Sequence, residues 1–158
     1  SLSRELGVSV EDTAGTVLGG PGPTMVPRPR RTTVGGVPLT ESMDDETIER
    51  IATRTRKAGG EIVKLLGNGS AFFSPAYSAI SMAESYLKDK KRVMPCAAQC
   101  NGQYGCDGLF IGVPAVIGAG GIEKIFEIKL TDDEKANLDT TVAAVAKSVD
   151  EAKTFLAK

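Results

Sequence analysis

A three-to-four spacing of apolar residues between positions 40 and 66 predicts a long amphipathic helix. Ile48 and Ile62 mark its apolar face. We expect the helix to open at residues 40–42 and to end at Gly67-Asn68-Gly69, since glycine readily forms a left-handed C-terminal cap. The pair Gly59-Gly60 should weaken it by about 1 kcal/mol per glycine relative to alanine. Such a pair is typical of a close backbone contact or of a kink.

Two further helices are predicted downstream. Ser74 followed by Pro75 favours a helix start with serine as N-cap, and Thr131 with Glu134 forms a capping box at the start of the last helix. Each helix has an apolar stripe that we expect to be buried. The stripes comprise Ala76, Ala79, Ile80, Ala83 and Leu87 in the first of them, and Leu138, Val142, Val145, Val149, Ala152 and Leu156 in the second.

Between these helices, and ahead of the first one, the period changes to that of strands. The strand segments are residues 13–18, 30–34, 93–98, 109–117 and 122–130, and Gly118-Ala119-Gly120-Gly121 joins the last two as a hairpin. Strands, helices, strands and a final helix follow one another in that order. This order predicts an α+β fold, an antiparallel sheet with long helices, in a single domain over residues 1–158.

Charge and hydropathy exclude several classes of partner. Nineteen basic and 20 acidic residues leave a net charge of −1, which provides no electrostatic footprint for nucleic acid or an anionic membrane. No apolar run approaches the ~20 residues of a membrane span. We therefore expect neither a nucleic-acid nor a membrane partner. Arg28, Arg30 and Arg31 form a local basic cluster that is expected to be solvated.

Three cysteines, Cys96, Cys100 and Cys106, lie within eleven residues and suggest either a metal or redox site or three small buried side chains. Their spacing is not a usual zinc spacing, and the chain has no histidine to complete such a site. An odd count also disfavours a disulfide framework. We predict buried free thiols, no metal, and a reducing, cytoplasmic location.

Several segments match one known family in order and spacing. The loop Leu18-Gly19-Gly20-Pro21-Gly22-Pro23-Thr24-Met25-Val26-Pro27 is the most specific of them. It is followed by Gly69-Ser70-Ala71-Phe72-Phe73-Ser74-Pro75-Ala76, Pro95-Cys96-Ala97-Ala98 and Gly112-Val113-Pro114-Ala115. Together they resemble the C-terminal, substrate-binding half of the lactate/malate dehydrogenase family, and within it the bacterial malate dehydrogenases that are similar to lactate dehydrogenase.

The resemblance implies a two-domain enzyme that transfers a hydride between NAD and a small 2-hydroxy or 2-oxo dicarboxylate, and that forms a homo-oligomer. In the family an N-terminal Rossmann domain holds the cofactor, and a histidine oriented by an aspartate handles the hydroxyl proton. The resemblance places the Rossmann domain outside this chain. We therefore expect NAD not to bind stably to these 158 residues alone.

The site implied by the resemblance departs from the family at its centre. Pro21 occupies the position of the proton-accepting histidine, so no catalytic residue is predicted. Pro23, Arg28 and Arg31 also differ from the family pattern. The candidates for the substrate pocket are Met25, Ser74 and Ser78, with core packing as the alternative for Met25, helix capping for Ser74 and packing for Ser78.

Three functions follow as hypotheses. The first is the substrate domain of a malate dehydrogenase that converts malate to oxaloacetate, inactive as given because of Pro21. The second is a non-catalytic oligomerisation or interaction module derived from that family. The third is a binding remnant that holds a carboxylate through Arg28, Arg30 and Arg31.

Overall fold

A computed structural model describes residues 2–20 and 25–157, and within these ranges five α-helices pack with three antiparallel sheets. The sheets have the strand orders β1-β4-β5, β2-β3 and β6-β7-β8, which confirms the predicted α+β class. The helices are α1 (Leu2–Leu6), α2 (Leu39–Ser42), α3 (Asp45–Leu66), α4 (Phe73–Leu87) and α5 (Asp132–Leu156). The strands are β1 (Thr13–Ala14), β2 (Val17–Leu18), β3 (Val26–Pro27), β4 (Thr33–Val34), β5 (Val37–Pro38), β6 (Arg92–Asn101), β7 (Asp107–Gly118) and β8 (Gly121–Ile125).

The β6–β7 hairpin supplies most of the core. Its register runs from Arg92 opposite Ile117 to Gln99 opposite Phe110, with an irregularity before Asn101. Alternate residues of both strands point inward, as the period of two requires. The buried cluster comprises Cys96, Ala98, Cys100, Cys106, Ile111, Val113, Ala115, Ile117, Leu138 of α5, and Leu18 and Val26 of β2 and β3.

Three predicted strands are shorter or divided in the structure, whereas the other two extend a few residues further than predicted. Residues 13–18 form two short strands, and residues 30–34 begin with a 3₁₀ turn, Pro29–Arg31, because proline fixes its φ and donates no ladder hydrogen bond. The third, residues 122–130, ends at Ile125. Beyond Ile125 the Tyr104 side chain makes hydrogen bonds with the main chain. Its hydroxyl donates to Phe126 O at 2.8 Å and accepts from Ile128 N–H at 3.0 Å.

The start of the first long helix is also different from the prediction. Residues 39–42 form the separate short helix α2, and the extended Met43 divides it from α3. The N-cap of α3 is Asp44, whose side chain accepts a hydrogen bond from Thr47 N–H at 2.8 Å. That hydrogen bond lowers the pKa of Asp44. A carboxylate at an N-cap also interacts well with the helix dipole, which explains why α3 begins there.

The α3 helix runs unbroken through Gly59-Gly60 to Gly67, its C-cap. A Cβ at either glycine of the pair would meet no atom within 4 Å, so no neighbouring backbone in the described chain requires them. The predicted termination at Gly67 is confirmed. Of the two explanations expected for the glycine pair, a close backbone contact or a kink, the close contact is not found among the described residues.

Two predictions about α4 are wrong. The helix starts at Phe73, Phe72 is its N-cap without a side-chain hydrogen bond, and Ser74 is therefore not the cap. The predicted buried stripe is exposed, with Ile80 at 67% and Leu87 at 78% exposure. The face of α4 that contains the buried Ser85 contacts the sheet instead. The Ser85 hydroxyl donates to Ile117 O at 2.7 Å.

The last helix follows its prediction more closely. Thr131 and Glu134 form the predicted capping box. Leu138 is buried and Val142 packs against the same core, but Leu156 at the end of the stripe is 83% exposed. No helix within the described ranges is both long enough and apolar enough to cross a bilayer.

Arg28 lies in the interior, although its cluster was expected to be solvated. Its side chain is fully buried, with Nε 2.8 Å from Glu134 Oε1 and Nη2 donating to Lys129 O at 3.3 Å. The Nε–H is not directed at the carboxylate oxygen, and Nη1 has no hydrogen-bond partner among the described residues. The contact with Glu134 is thus an ion pair between a buried cation and an acid that is 14% exposed.

Glu134 interacts with several hydrogen-bond donors and cationic groups. It accepts hydrogen bonds from Thr131 N–H at 2.8 Å and from Arg30 Nη2 at 3.0 Å, beside the contact with Arg28. Burial raises its pKa, but the Thr131 N–H and the two guanidinium groups outweigh that effect and bring the pKa below its ordinary value of 4.5. The carboxylate therefore contributes stability above about pH 4.5, and this contribution is lost as the pH falls through the lower folded-state pKa.

The substitution Glu134→Gln is expected to lower the free energy of unfolding at pH 7 by about 3 kcal/mol, because it leaves the buried Arg28 charge uncompensated. Urea denaturation followed by circular dichroism measures this. Glu61→Gln, which breaks an exposed ion pair with Arg54, should cost less than about 1 kcal/mol. The double variant Arg28→Leu/Glu134→Gln should recover most of the loss, and an equal loss in the single and double variants would contradict the assignment.

Candidate functional site

The strands β2 and β3 flank the segment between Leu18 and Val26 in the sequence. These two residues are opposite each other in the register, and both are almost fully buried in the core. Pro21, which the resemblance places at the family's proton-acceptor position, lies in residues 21–24, outside the described residues. Both flanks of the segment are therefore anchored in the core.

A close main-chain contact fixes the first flank on the large sheet. Gly19 N–H donates to Gly112 O at 2.9 Å, and Gly112 N–H donates to Gly19 O at 3.1 Å. A Cβ on Gly112 would overlap Gly19 O. Glycine at position 112 is thus required by the approach of a second backbone, a typical reason for glycine inside a strand.

A side chain of α3 holds the second flank. Arg56 Nε donates to Met25 O at 3.4 Å, and Arg56 Nη1 lies 3.3 Å from Glu49 Oε1. Met25 immediately precedes β3 and is half-buried. It therefore lies at the edge of the core and not inside it.

Met25 and Ser74 line the same open cleft of about 1190 Å³, whose long wall is α3. The wall is basic: among the described residues five cationic side chains and one carboxylate line the cleft. They are Arg50, Arg54, Arg56, Lys57, Lys64 and Glu61. Arg54 is paired with Glu61 at 2.8 Å, Arg50 with Glu5 and Arg56 with Glu49 at 3.3 Å, so the positive excess of the wall is left at Lys57 and Lys64.

The structure therefore brings together two of the three predicted pocket residues. Ser78 lies one turn beyond Ser74 on α4, is exposed, and does not line this cleft. Sequence reasoning missed Arg56, Lys57 and Gly112. The run Arg54-Thr55-Arg56-Lys57 in an amphipathic helix and a glycine inside an apolar strand were the available signals.

The arginine cluster proposed to hold a carboxylate has a different role. Arg28 and Arg30 both contact Glu134, so a side chain of the protein already occupies them. Arg31, in the adjoining 3₁₀ turn, is exposed. The cluster offers no site with two available guanidinium groups in the part of the chain that the structure describes.

The three cysteines are free and buried, as predicted. Burial raises the pKa of Cys96, and burial together with the adjacent Cys106 raises that of Cys100 to about 11. A protonated, buried thiol is a poor nucleophile. Over residues 2–20 and 25–157, no three His, Cys, Asp or Glu side chains are grouped as metal ligands would be.

Comparison with known proteins gives one consistent result. The profile of the lactate/malate dehydrogenase alpha/beta C-terminal domain matches residues 1–156. The chain is 59% identical over 147 residues to malate dehydrogenase 1 of Anaeromyxobacter dehalogenans, and 54% identical over 157 residues to malate dehydrogenase of Methylobacterium radiotolerans. These alignments cover 93% and 96% of this chain, but 47% and 49% of the relatives.

Solved structures agree with the sequence matches. Malate dehydrogenase from Salinibacter ruber superposes with a TM-score of 0.94 at 50% identity, over 97% of this chain and 50% of that one. A lactate dehydrogenase from Eimeria maxima, solved with NADH and oxamate, gives 0.94 at 40% identity, over 99% and 50%. The chain belongs to the lactate/malate dehydrogenase family, whose C-terminal domain it contains, and it spans about half the length of these relatives.

The substitution Gly112→Ala is expected to lower the free energy of unfolding by about 1–3 kcal/mol, because the added methyl group forces Gly19 away from β7. Gly15→Ala is the matched control, since a Cβ there meets no atom within 4 Å and the φ of Gly15 is not positive. It should change stability by no more than about 0.5 kcal/mol. Urea denaturation of both variants measures the two free energies of unfolding. Equal values for the variants would contradict the close approach of Gly19 O to Gly112.

Proposed function

We propose that this chain is the substrate-binding domain of an NAD-dependent malate dehydrogenase, acting on malate and oxaloacetate. The observation that carries the proposal is the basic cleft, which adjoins the segment whose family counterpart bears the proton acceptor. The malate dehydrogenases of 54–59% identity support the choice of substrate. As a structural unit, residues 1–158 form one domain in this proposal.

The charge of the cleft suits a dicarboxylate. Lys57 and Lys64 both lie on the wall formed by α3, and an anion beside them would experience a positive potential. Ser74 adds a hydroxyl that can donate a hydrogen bond to a carboxylate or carbonyl oxygen. In this proposal Met25 provides apolar contact at the rim.

Proline at position 21 changes what this domain can do. A proline side chain has no group that accepts or donates a proton, and its nitrogen has no N–H. Proton transfer to and from the substrate hydroxyl is therefore the step that this chain lacks, and we propose that it binds substrate without turning it over.

The described residues do not fit the cofactor. All strand pairs in the described ranges are antiparallel, whereas a dinucleotide site needs a parallel strand–helix–strand unit with a glycine-rich turn. NAD, which would supply or accept the hydride, is in this proposal held by a Rossmann domain that is not among these 158 residues.

The substitution Pro21→His, in the protein that contains both domains, tests this proposal. We expect the rate of NADH-dependent oxaloacetate reduction to rise by about 10²–10⁴-fold, the usual contribution of a general acid–base histidine. Pro21→Ala is the matched control and should give no rise. If the histidine variant is as inactive as the alanine variant while it still binds oxaloacetate, the assignment of position 21 is wrong.

A second candidate function, a homo-oligomeric interaction module, is favoured by the exposed face of α4. Phe73 and Tyr77 are both 74% exposed, and Ile80 and Leu87 extend the same apolar surface. Contiguous exposed apolar residues of this kind are typical of an interaction surface. The three free thiols support a reducing, cytoplasmic location for either function.

Sedimentation velocity over a range of concentrations tests the second candidate. We expect self-association that Ile80→Glu weakens, because the substitution places a charge on the apolar face. Val10→Glu is the control, since Val10 is equally exposed, at 70%, but lies in the N-terminal 3₁₀ turn. A strict monomer at high concentration would remove the basis of this candidate.

A further inference from the structure

Arg56 of α3 contacts both the main chain beside β3 and a carboxylate of its own helix. Its Nε donates to the main-chain oxygen of Met25 at 3.4 Å, and its Nη1 lies 3.3 Å from Glu49 Oε1. Glu49 is itself held by Thr53, whose hydroxyl donates to Oε1 at 3.0 Å. Because a guanidinium group is a rigid planar fork, its contact with Glu49 also fixes the direction of Nε towards Met25.

The neighbouring arginines on α3 are bound differently. Arg50 pairs with Glu5, and Arg54 donates to both oxygens of Glu61 at 3.1 and 2.8 Å. Their side chains are 59% and 66% exposed, against 33% for Arg56. Of these three arginines, Arg56 is the one that joins α3 to the main chain beside β3 in the described residues.

The position of Arg56 along α3 gives this contact its effect. Ala52, one turn earlier, is the last buried residue of the helix, and from Gly59 onward the helix is exposed. Arg56 therefore lies where the buried part of α3 ends. The cleft opens at the same place, with Met25 and Ser74 both at its edge.

We propose that Arg56 is a positioning residue: it holds the Met25 main chain against α3 and so sets the opening of the cleft in which the substrate carboxylate binds. The identity of the ligand rests on the proposed function, whereas the effect on Met25 does not. Without Arg56 the Met25 carbonyl oxygen accepts a hydrogen bond from water instead. The side of the cleft formed by Met25 is then free to move away from α3.

Methyl NMR of the protein labelled with [¹³Cε]methionine tests the structural part. The chain has four methionines, Met25, Met43, Met82 and Met94, and Met25→Leu assigns the resonance of interest. We expect Arg56→Ala to shift and sharpen the Met25 methyl signal. The signals of Met82 and Met94, which pack against the core, should stay in place and so show that the protein is folded.

Two further variants separate positioning from a general effect of charge on the helix. Arg56→Lys keeps the charge and a single donor nitrogen but lacks the planar fork, so it should restore the Met25 signal in part. Arg54→Ala removes an arginine of the same helix that does not contact Met25 and should leave the Met25 signal unchanged. If Arg56→Ala also leaves it unchanged, the positioning role is overturned.

Calorimetric titration with oxaloacetate tests the functional part. We expect Arg56→Ala to raise the Kd by about two- to tenfold, which is the range of one hydrogen bond, and Arg56→Lys to raise it less. If the unaltered protein binds no oxaloacetate, the proposed function fails, and the Met25 signal still decides the role of Arg56. If oxaloacetate binds equally well to all variants, Arg56 does not set the cleft for this ligand.

Discussion

The main-chain contact between Gly19 and Gly112 is the constraint on which the arrangement of the N-terminal third depends. Two hydrogen bonds join the end of β2 to the middle of β7, at a distance that leaves no room for a side chain. Leu18 and Val26 enter the common core beside this contact. Main-chain hydrogen bonds and hydrophobic burial therefore position the hairpin together. They also determine where the cleft beside Met25 lies.

The Arg28–Glu134 pair is a second attachment of the same hairpin, made to α5 instead of β7. It has a different physical character, because an ion pair in the interior must offset the cost of removing two charges from water. Glu134 offsets part of this desolvation cost because it also accepts hydrogen bonds from Thr131 N–H and Arg30 Nη2. A residue that caps a helix thus also neutralises a buried cation, and the start of α5 becomes part of the site's support.

Local signals allowed the sequence to predict much of the fold. The capping box at Thr131, the glycine end of α3 and the alternating strands around Val113 depend on neighbouring residues only, and all are present. The burial of α4 depends on what packs against it, which apolar spacing does not specify. The buried Arg28 and the contact between Arg56 and Met25 join residues distant in sequence, so no pattern along the chain predicts them. Met25 and Ser74, which line one cleft, are distant in sequence. They could be predicted together only because the family resemblance contains long-range information.

The exposed end of α3 has a consequence for folding cooperativity. About two turns, from Gly59 to Leu66, have no buried side chain, and two glycines at their start add backbone entropy to the unfolded segment. These turns gain little from burial and depend on the earlier turns of α3 for their helix nucleus. A molecule docked on these turns would stabilise them, and because the same turns form part of the cleft wall, such docking and the proposed ligand binding would be thermodynamically linked. If the cleft binds an anion as proposed, any molecule that covers Leu65 and Leu66 would tighten that binding, and the bound anion would strengthen the docking to the same degree.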